Sequence, residues 1–319
     1  MQAEECKDKK DTTMNEITIS GFYDEISSKL SAQIGVLHQL GEHYMCPRNV
    51  DGKNIADYSF EEFKEKIYPI LQKEDIHFSS IGSPIGKVGI DDEEGFEKQK
   101  KQLAELVKIA KLMECEYIRV FSFFYGDKNP KDCTEKVIAR LKEMLAIVKG
   151  SGVKLLHENE KKIYGDVPSR VLEIYTAIND EDFVLCFDAS NYIQCDVNPK
   201  DAFDMLKDLV VYYHIKDCST YKVEVPVGTG EGHYDYIIGE LTKRGYKGFM
   251  TLEPHTFKYA VMKPLVYFVP FVKFAMKDYF KAFRLIDKKM GRNYFACASR
   301  KTVFLWQYNN LKKLISEAK

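Results

Sequence analysis

Four short apolar segments in the second half of the chain each end in a side chain that can bind a metal ion. The segments are VKLLHE, FVLCFD, VVYYH and GFMTLE, which end at Glu158, Asp188, His214 and Glu253. If these segments are neighbouring parallel strands, the four side chains meet at one rim of a sheet. Three carboxylates and one imidazole suit Mn²⁺, Mg²⁺, Co²⁺ or Zn²⁺. The alternative for each carboxylate is a salt bridge at the rim or a helix cap.

Eight short β-rich runs, separated by helical patterns, supply the strands that such a site requires. The runs start near Ile17, His43, Ile76, Tyr117, Val153, Phe183, Val210 and Phe249. Apolar residues recur at helical spacing between them, over 60–72, 94–113, 133–148, 167–178 and 201–206. Strand–helix alternation repeated eight times over roughly 250 residues predicts a closed (β/α)8 TIM barrel, an α/β fold, with a C-terminal helical extension.

Alternation along each strand predicts which side chains point into the barrel with the four candidate ligands. His157, next to Glu158, is expected to face the surrounding helices instead. The residues that share the inward face are Lys154, Leu156, Val184, Cys186, Tyr212, Phe249 and Thr251.

The predicted organisation has three parts. Residues 1–14 are polar and are expected to be disordered, residues 15–256 form the barrel, and residues 257–319 form the final barrel helix and a helical extension. From Lys281 to the end there are ten Lys or Arg residues against Asp287 and Glu317. This basic tail is either a solvated extension or a surface for a partner or for self-association.

Composition excludes several classes of protein. The chain has 47 Lys or Arg and 48 Asp or Glu residues, which argues against a nucleic-acid-binding protein. No apolar signal segment occurs near the start, and the apolar run 265–272 is too short to span a bilayer. The eight cysteines include no CxxC pair. We therefore expect a cytoplasmic protein with reduced thiols and without a nucleic-acid or membrane partner.

An ordered set of motifs resembles the xylose-isomerase-like barrel superfamily, and within it the sugar phosphate isomerase/epimerase group. The resemblance extends over residues 17–256. The motifs that carry it are GFYDEI, RNVDGKNI, IGSPIGK, IRVFSFFYG, HENEKKIYGD, FDASN, HIKD, PVGTGEG and TLEPH, which begin at residues 21, 48, 81, 118, 157, 187, 214, 226 and 251.

The resemblance implies one divalent metal ion, bound by Glu158, Asp188, His214 and Glu253, and a small sugar or sugar phosphate as the ligand. A ketose isomerase or epimerase removes a proton beside a carbonyl, and a bound metal stabilises the resulting enediolate. Glu158 and Glu253 are expected to act as the acid and base as well as metal ligands. A homo-oligomer is compatible with this reading.

Six further residues are expected to contact the substrate: Arg48, Lys87, Arg119, Asn191, Lys216 and His255. Structural alternatives stay open for them. Lys87 and His255 could be solvated rim residues, and Arg119 could form a buried ion pair inside the barrel. Two positions depart from the family pattern. Asn191 stands where many relatives have His, and Cys46 stands where relatives often have Glu.

Three other functions are compatible with the same barrel. A metal-assisted dehydratase of a keto-polyol, similar to an inosose, would use the same proton abstraction. An apurinic-site endonuclease would need a three-metal cluster with additional His ligands, and the chain has only seven His residues. A non-catalytic sugar-binding barrel would keep the fold without the chemistry.

Overall fold

A computed structural model describes residues 17–318, so the predicted disordered segment 1–14 lies outside the described residues. Twelve strands occur in this part of the chain. In order they are β1 (Thr18–Gly21), β2 (Tyr44–Met45), β3 (Asn49–Val50), β4 (Lys53–Asn54), β5 (His77–Phe78), β6 (Tyr117–Val120), β7 (Lys154–Glu158), β8 (Phe183–Asp188), β9 (Val210–Ile215), β10 (Asp217–Cys218), β11 (Glu224–Val225) and β12 (Phe249–Leu252).

The predicted (β/α)8 barrel is confirmed. Six parallel strands lie in the order β1-β12-β9-β8-β7-β6, and β2 pairs with β5 in a second parallel sheet. Backbone hydrogen bonds join the two sheets at both ends. Cys46 N donates to Gly21 O at 3.0 Å, and Arg119 N donates to Ile81 O at 2.9 Å. These bonds close the ring of eight strands, each of which lies in one of the eight predicted runs.

Thirteen α-helices within residues 17–318 surround and extend the ring. They are α1 (Leu30–Leu40), α2 (Phe60–Lys66), α3 (Tyr68–Lys73), α4 (Glu93–Leu112), α5 (Thr134–Val148), α6 (Pro168–Ile178), α7 (Ala189–Gln194), α8 (Pro199–Leu206), α9 (Tyr234–Lys243), α10 (Phe257–Phe268), α11 (Pro270–Ala275), α12 (Lys277–Lys289) and α13 (Arg300–Glu317). Local sequence sets their ends, as at α4, where the Asp92 side chain accepts a hydrogen bond from Gly95 N. The pattern over 60–72 is split into α2 and α3 at Ile67.

The inside of the barrel contains its own small apolar cluster. Leu156, Cys186, Tyr212 and Phe249 are buried and pack together. All four belong to the inward set predicted from strand alternation. His157 has the opposite parity, and its buried ring stacks on Phe183 with centroids 5.7 Å apart. The period of two therefore places the candidate ligands on the same face as this cluster.

The helices after β12 form two packing units. Helix α13 lies against the barrel, where a Cβ on Gly21 would come within 2.8 Å of Phe304. The three preceding helices, α10 to α12, form a second apolar cluster that includes Tyr259, Val266, Phe283 and Ile286. Helix α13 thus packs beside the first barrel strand. We call the three helices that precede it, α10–α12, the insertion.

Candidate metal centre

The four candidate ligands come from four consecutive strands of the ring. Glu158 ends β7, Asp188 ends β8, His214 is the fifth residue of β9, and Glu253 follows β12. Parallel pairing aligns these ends, for example Asp188 opposite His214. All four side chains are buried, and one ligand atom from each lies within 4.8 Å of the others. The tertiary structure therefore brings together the set predicted from the strand ends.

Asp188 uses its two carboxylate oxygens differently. Oδ1 accepts a hydrogen bond from Asn191 N at 3.0 Å and caps α7. Oδ2 accepts no hydrogen bond within residues 17–318, although Lys216 Nζ lies 3.0 Å away. The Asn159 side chain fixes the Asp188 backbone with two hydrogen bonds of 2.9 Å. Asp188 is therefore a helix cap whose second oxygen faces the cluster, where it pairs with Lys216.

His214 is the second residue of the cluster that is suited to binding a cation. Its side chain is buried, and neither ring nitrogen makes a hydrogen bond to any described residue. Nδ1 nevertheless lies 3.0 Å from Glu158 Oε1 and 3.7 Å from Glu253 Oε2. A buried imidazole without partners is costly. A divalent ion shared with the neighbouring oxygens would satisfy it, so these residues fit such an ion.

Two buried cations partly neutralise the carboxylates. Arg119 Nη1 lies 3.2 Å from Glu158 Oε2 and 3.5 Å from Glu253 Oε1. The rest of its guanidinium donates to the carbonyls of Ser83 and Gly82 at 3.2 and 3.1 Å. Lys216 Nζ lies 3.3 Å from Glu253 Oε2 as well as near Asp188. Arg119 and Lys216, two of the six predicted substrate contacts, are thus buried among the candidate ligands.

The charges divide the carboxylates into two groups. Burial acts to raise the pKa of Glu158, but His214 and Arg119 outweigh burial and lower this pKa to about 2. Burial likewise opposes ionisation of Glu253, yet Lys216 and His255 hold its pKa well below the usual range. For Asp188 burial prevails over the nearby Lys216, and its pKa is raised well above the ordinary value. The two glutamates are the ionised members of the cluster.

The exposed side of the cluster is formed by Arg48 and His255. Arg48 Nη1 donates to Glu253 Oε1 at 3.2 Å, and Arg48 Nε donates to Asp24 Oδ2 at 2.9 Å. His255 Nε2 lies 3.3 Å from Glu253 Oε1, and its backbone N–H donates to Glu25 Oε2 at 2.9 Å. Both side chains are partly exposed, unlike the four ligands. They therefore lie between the cluster and solvent.

The remaining predicted substrate contacts lie at different depths. Asn191 is buried and donates to Glu158 Oε1 at 3.3 Å and to Asn159 O at 2.8 Å. Lys87 is partly exposed, and its Nζ lies 2.9 Å from Glu160 Oε2. Lys87 also lies 4.2 Å from the centre of the Phe121 ring. Asn191 thus borders the cluster, whereas Lys87 contacts Glu160 and Phe121 at the rim.

Sequence reasoning missed several supporting residues. Asp24 and Glu25 follow β1 and hold Arg48 and His255, so the strand-end rule that found the ligands could have found them too. Asp217 was also missed. Its carboxylate accepts hydrogen bonds from the backbone N–H groups of Cys218, Gly228, Gly230 and Gly232, at 2.8 to 2.9 Å. The glycine-rich PVGTGEG segment is therefore a rim loop wrapped around a carboxylate.

A family comparison agrees with this geometry. The xylose isomerase-like TIM barrel family matches residues 38–265, which is well over half of the chain. The chain belongs to this family. Among the described residues of this xylose isomerase-like barrel, the one group of three or more potential metal ligands found close together is Glu158, Asp188, His214 and Glu253. A comparison with curated protein sequences finds no significant match.

Solved structures share the fold at low sequence identity. The IOLI protein with a bound zinc atom is 14% identical with a TM-score of 0.67, and the match covers 95% of this chain and 99% of that one. A D-allulose 3-epimerase from Methylomonas sp. is 13% identical with a TM-score of 0.65, with 94% and 98% covered. The probable 3-DHS dehydratase AsbF from Bacillus anthracis is 16% identical with a TM-score of 0.58, with 75% and 92% covered. At such identities the likeness of the xylose isomerase-like barrel to these proteins concerns the fold.

Proposed function

We propose that this protein is a metal-dependent isomerase or epimerase of a ketose or sugar phosphate. The observation that carries the proposal is the arrangement of two buried glutamates on either side of one cluster of potential metal ligands. Glu158 and Glu253 come from the two outer strands of the four, and Asp188 and His214 lie on the strands between them. Structural neighbours described as epimerases support this class of reaction.

Glu158, Asp188, His214 and Glu253 are the proposed ligands of one divalent ion. The cluster offers three carboxylates and one imidazole, a donor set that suits Mn²⁺, Mg²⁺, Co²⁺ or Zn²⁺. Bound there, the ion would supply positive charge that stabilises negative charge developing on substrate oxygens. Within the described residues, the ring nitrogens of His214 and Oδ2 of Asp188 make no hydrogen bond, which supports this assignment.

The two glutamates are the proposed proton carriers. To move a proton on the carbon beside a carbonyl, an enzyme needs a base on the side from which the proton leaves. It also needs an acid on the side to which a proton returns. Glu158 and Glu253 present carboxylates to the cluster from its two outer strands, and a carboxylate can accept and return such a proton. Arg119 contacts both carboxylates and would hold their positions during proton transfer.

The same cluster has partners for sugar oxygens. Arg48 and His255 occupy its exposed side, so an incoming sugar meets them first. Lys216 and Asn191 lie deeper and can donate to hydroxyl or carbonyl oxygens next to the ligands. Asn191 cannot exchange a proton near neutral pH. We therefore assign it to substrate orientation and leave proton transfer to the two glutamates.

The test is proton exchange in D₂O. Purified protein supplied with each candidate ion is incubated with ketoses and ketose phosphates, and NMR follows deuterium entry beside the carbonyl and formation of a new sugar. Glu158→Gln and Glu253→Gln should lower the rate by about 10²- to 10⁴-fold. Glu224→Gln is the matched control, because Glu224 is buried near the rim but lies outside the cluster.

Three results would contradict the proposal in different ways. Full metal content with full turnover in Glu158→Gln would remove Glu158 from proton transfer. A product lighter by one water would identify a dehydratase instead. Sugar binding without deuterium exchange under any metal condition would identify a non-catalytic barrel.

A further inference from the structure

The inserted helices α10 and α11 expose an unusual apolar surface. Phe271 and Phe274 of α11 are 78% and 83% exposed, and Phe295 is 76% exposed. The Phe268 and Phe295 rings stack with centroids 5.8 Å apart, so the surface is continuous across two segments. We call this surface the phenylalanine face; it consists of Leu265, Phe268, Val269, Phe271, Phe274 and Phe295. Exposed apolar patches of this kind mark interaction sites.

Helix α10 has an apolar side that faces solvent, in addition to the buried side that contains Tyr259 and Val266. Val261, Leu265 and Phe268 recur at helical spacing and face solvent. Lys263, in contrast, is buried and lies 2.7 Å from Asp287 Oδ1. The Tyr267 hydroxyl also donates to Asp287 Oδ2 at 2.6 Å. The buried ion pair and its hydrogen bonds hold the helix in this orientation, with its apolar side outward.

The segment that carries the phenylalanine face has an excess of basic residues, two of them exposed next to its phenylalanines. Residues 257–299 contain nine Lys or Arg against two Asp, while the chain as a whole has a net charge of −1. Of the two acidic residues, Asp287 is buried beside Lys263. Lys273 lies between the two most exposed phenylalanines, and Lys277 follows them; both are exposed. The apolar face therefore has a local basic border in an otherwise slightly acidic protein.

From these observations we infer that the phenylalanine face docks onto the surface of an anionic lipid bilayer. Projecting aromatic side chains enter the boundary between headgroups and acyl chains, and flanking lysines bind anionic headgroups. Lysine side chains can extend to the headgroups while their stems stay beside the apolar residues. This inference is independent of the reaction proposed for the barrel.

A second copy of the chain fits the phenylalanine face less well. Dimers are mostly two-fold symmetric, so the same surface on both copies would meet itself. Two borders with the same positive charge would then face each other, and lysine is depleted from the centre of protein interfaces. Phe271 and Phe274 also project from the surface, and a lipid boundary accommodates projections without needing a matching cavity. The charge and shape favour lipid.

The insertion is firmly attached to the catalytic half of the molecule. Val223 and Val225, from the loop after β9, belong to the same buried cluster as Tyr259 and Phe283. Lys258 Nζ lies 3.6 Å from Glu224 Oε2 in that loop. A bilayer bound to the phenylalanine face would therefore hold the barrel by its rim loops. This proposal differs from the sequence-based prediction of no membrane partner, and the vesicle experiment distinguishes the two.

The test is flotation of the full-length protein with vesicles. Phosphatidylcholine vesicles containing phosphatidylserine should bind the protein, and pure phosphatidylcholine vesicles should bind it much more weakly. The double variant Phe271→Ser/Phe274→Ser should reduce binding by about tenfold or more, because it removes the inserted apolar surface. Lys273→Glu/Lys277→Glu should reduce it by a similar factor, and added salt should abolish this difference.

Matched controls separate the phenylalanine face from general surface effects. Ile70→Ser/Met205→Ser removes two exposed apolar side chains elsewhere, and Lys98→Glu/Lys101→Glu reverses two exposed charges on α4. Both should bind vesicles like wild type. Fluorescence of the single tryptophan, Trp306, reports folding because it lies within the cluster beneath the insertion.

Two outcomes would overturn the inference. One is equal vesicle binding by wild type and Phe271→Ser/Phe274→Ser at low salt. The other is a wild-type dimer, seen by light scattering, that binds no vesicles and dissociates in that variant. The second outcome would assign the phenylalanine face to a second copy of the chain.

Discussion

His214 Nδ1 lies 3.0 Å from Glu158 Oε1, yet within the described residues neither nitrogen of the His214 ring makes a hydrogen bond. An imidazole nitrogen and a carboxylate oxygen this close together are two atoms that one divalent cation can bind at the same time. The relationship is therefore the most specific sign of the proposed metal centre.

Metal content tests the centre directly. Wild type should hold about one divalent ion per chain after purification or after adding back each ion. Glu253→Gln should lose it, because the amide replaces a ligand oxygen and removes a negative charge from the cluster. Mass spectrometry of the purified proteins measures the content, with Glu224→Gln as the control. Two or three ions per wild-type chain would instead favour the endonuclease class.

Removal of a competing cation should strengthen metal binding. Lys216 Nζ lies 3.0 Å from Asp188 Oδ2 and 3.3 Å from Glu253 Oε2, where it neutralises charge that a metal ion would otherwise meet. Without metal, Lys216→Met should lower the free energy of unfolding by about 3 kcal/mol, because it leaves buried carboxylates unpaired. Added Mn²⁺ or Zn²⁺ should then raise its Tm more than that of wild type.

The control for this experiment is Lys87→Met, which removes a rim ion pair with Glu160 outside the cluster. Its Tm response to metal should equal that of wild type. If Lys216→Met bound metal more weakly than wild type, Lys216 would be a support of the centre and not a competitor.

The loop after β5 should tolerate no side chain at Gly86. This residue has φ +89, and a Cβ built on it would lie 2.0 Å from Phe121 O. Gly86→Ala should therefore cost about 3 kcal/mol or more of unfolding free energy. Gly126 also has positive φ (+62), but nothing lies within 4 Å of its Cβ position. Gly126→Ala should cost only about 1 kcal/mol by urea denaturation. Equal costs would mean that this contact can relax.

Stability should fall in mild acid because of His157. Burial lowers the pKa of His157 to about 4, whereas an unfolded histidine titrates near 6.5. Below about pH 6.5 the unfolded chain binds a proton at His157, whereas the folded protein does not bind it until the pH nears 4. The free energy of unfolding therefore decreases as the pH falls towards 4. The full contribution is about 3 kcal/mol. Urea denaturation between pH 7 and pH 4 measures it.

The matched variant for the acid prediction is His157→Leu, which cannot take up the proton. Its unfolding free energy should fall less than that of wild type over the same range, by the amount assigned to His157. Identical pH dependence in the two proteins would show that the His157 ring gains a proton without unfolding.

The sequence by itself determined the strands and the set of four side chains that meet at the rim. Apolar runs that end in Glu158, Asp188, His214 and Glu253 are local patterns, and the period of two along a strand fixes which side chains share a face. The barrel closure then follows from eight repeated strand–helix units. These features could be predicted because each depends on short-range geometry that the order of residues imposes.

The tertiary structure decided what depends on residues far apart in the chain. Arg119 bridges Glu158 and Glu253 only because the ring brings β6 close to the strands that carry them, and Arg48 meets Glu253 across 205 positions. The sequence shows the apolar run 265–272 but not that its side chains are exposed. Burial of Lys263 beside Asp287 leaves Val261, Leu265 and Phe268 of α10 facing solvent. Side-chain packing between distant segments, which local patterns do not encode, determines both features.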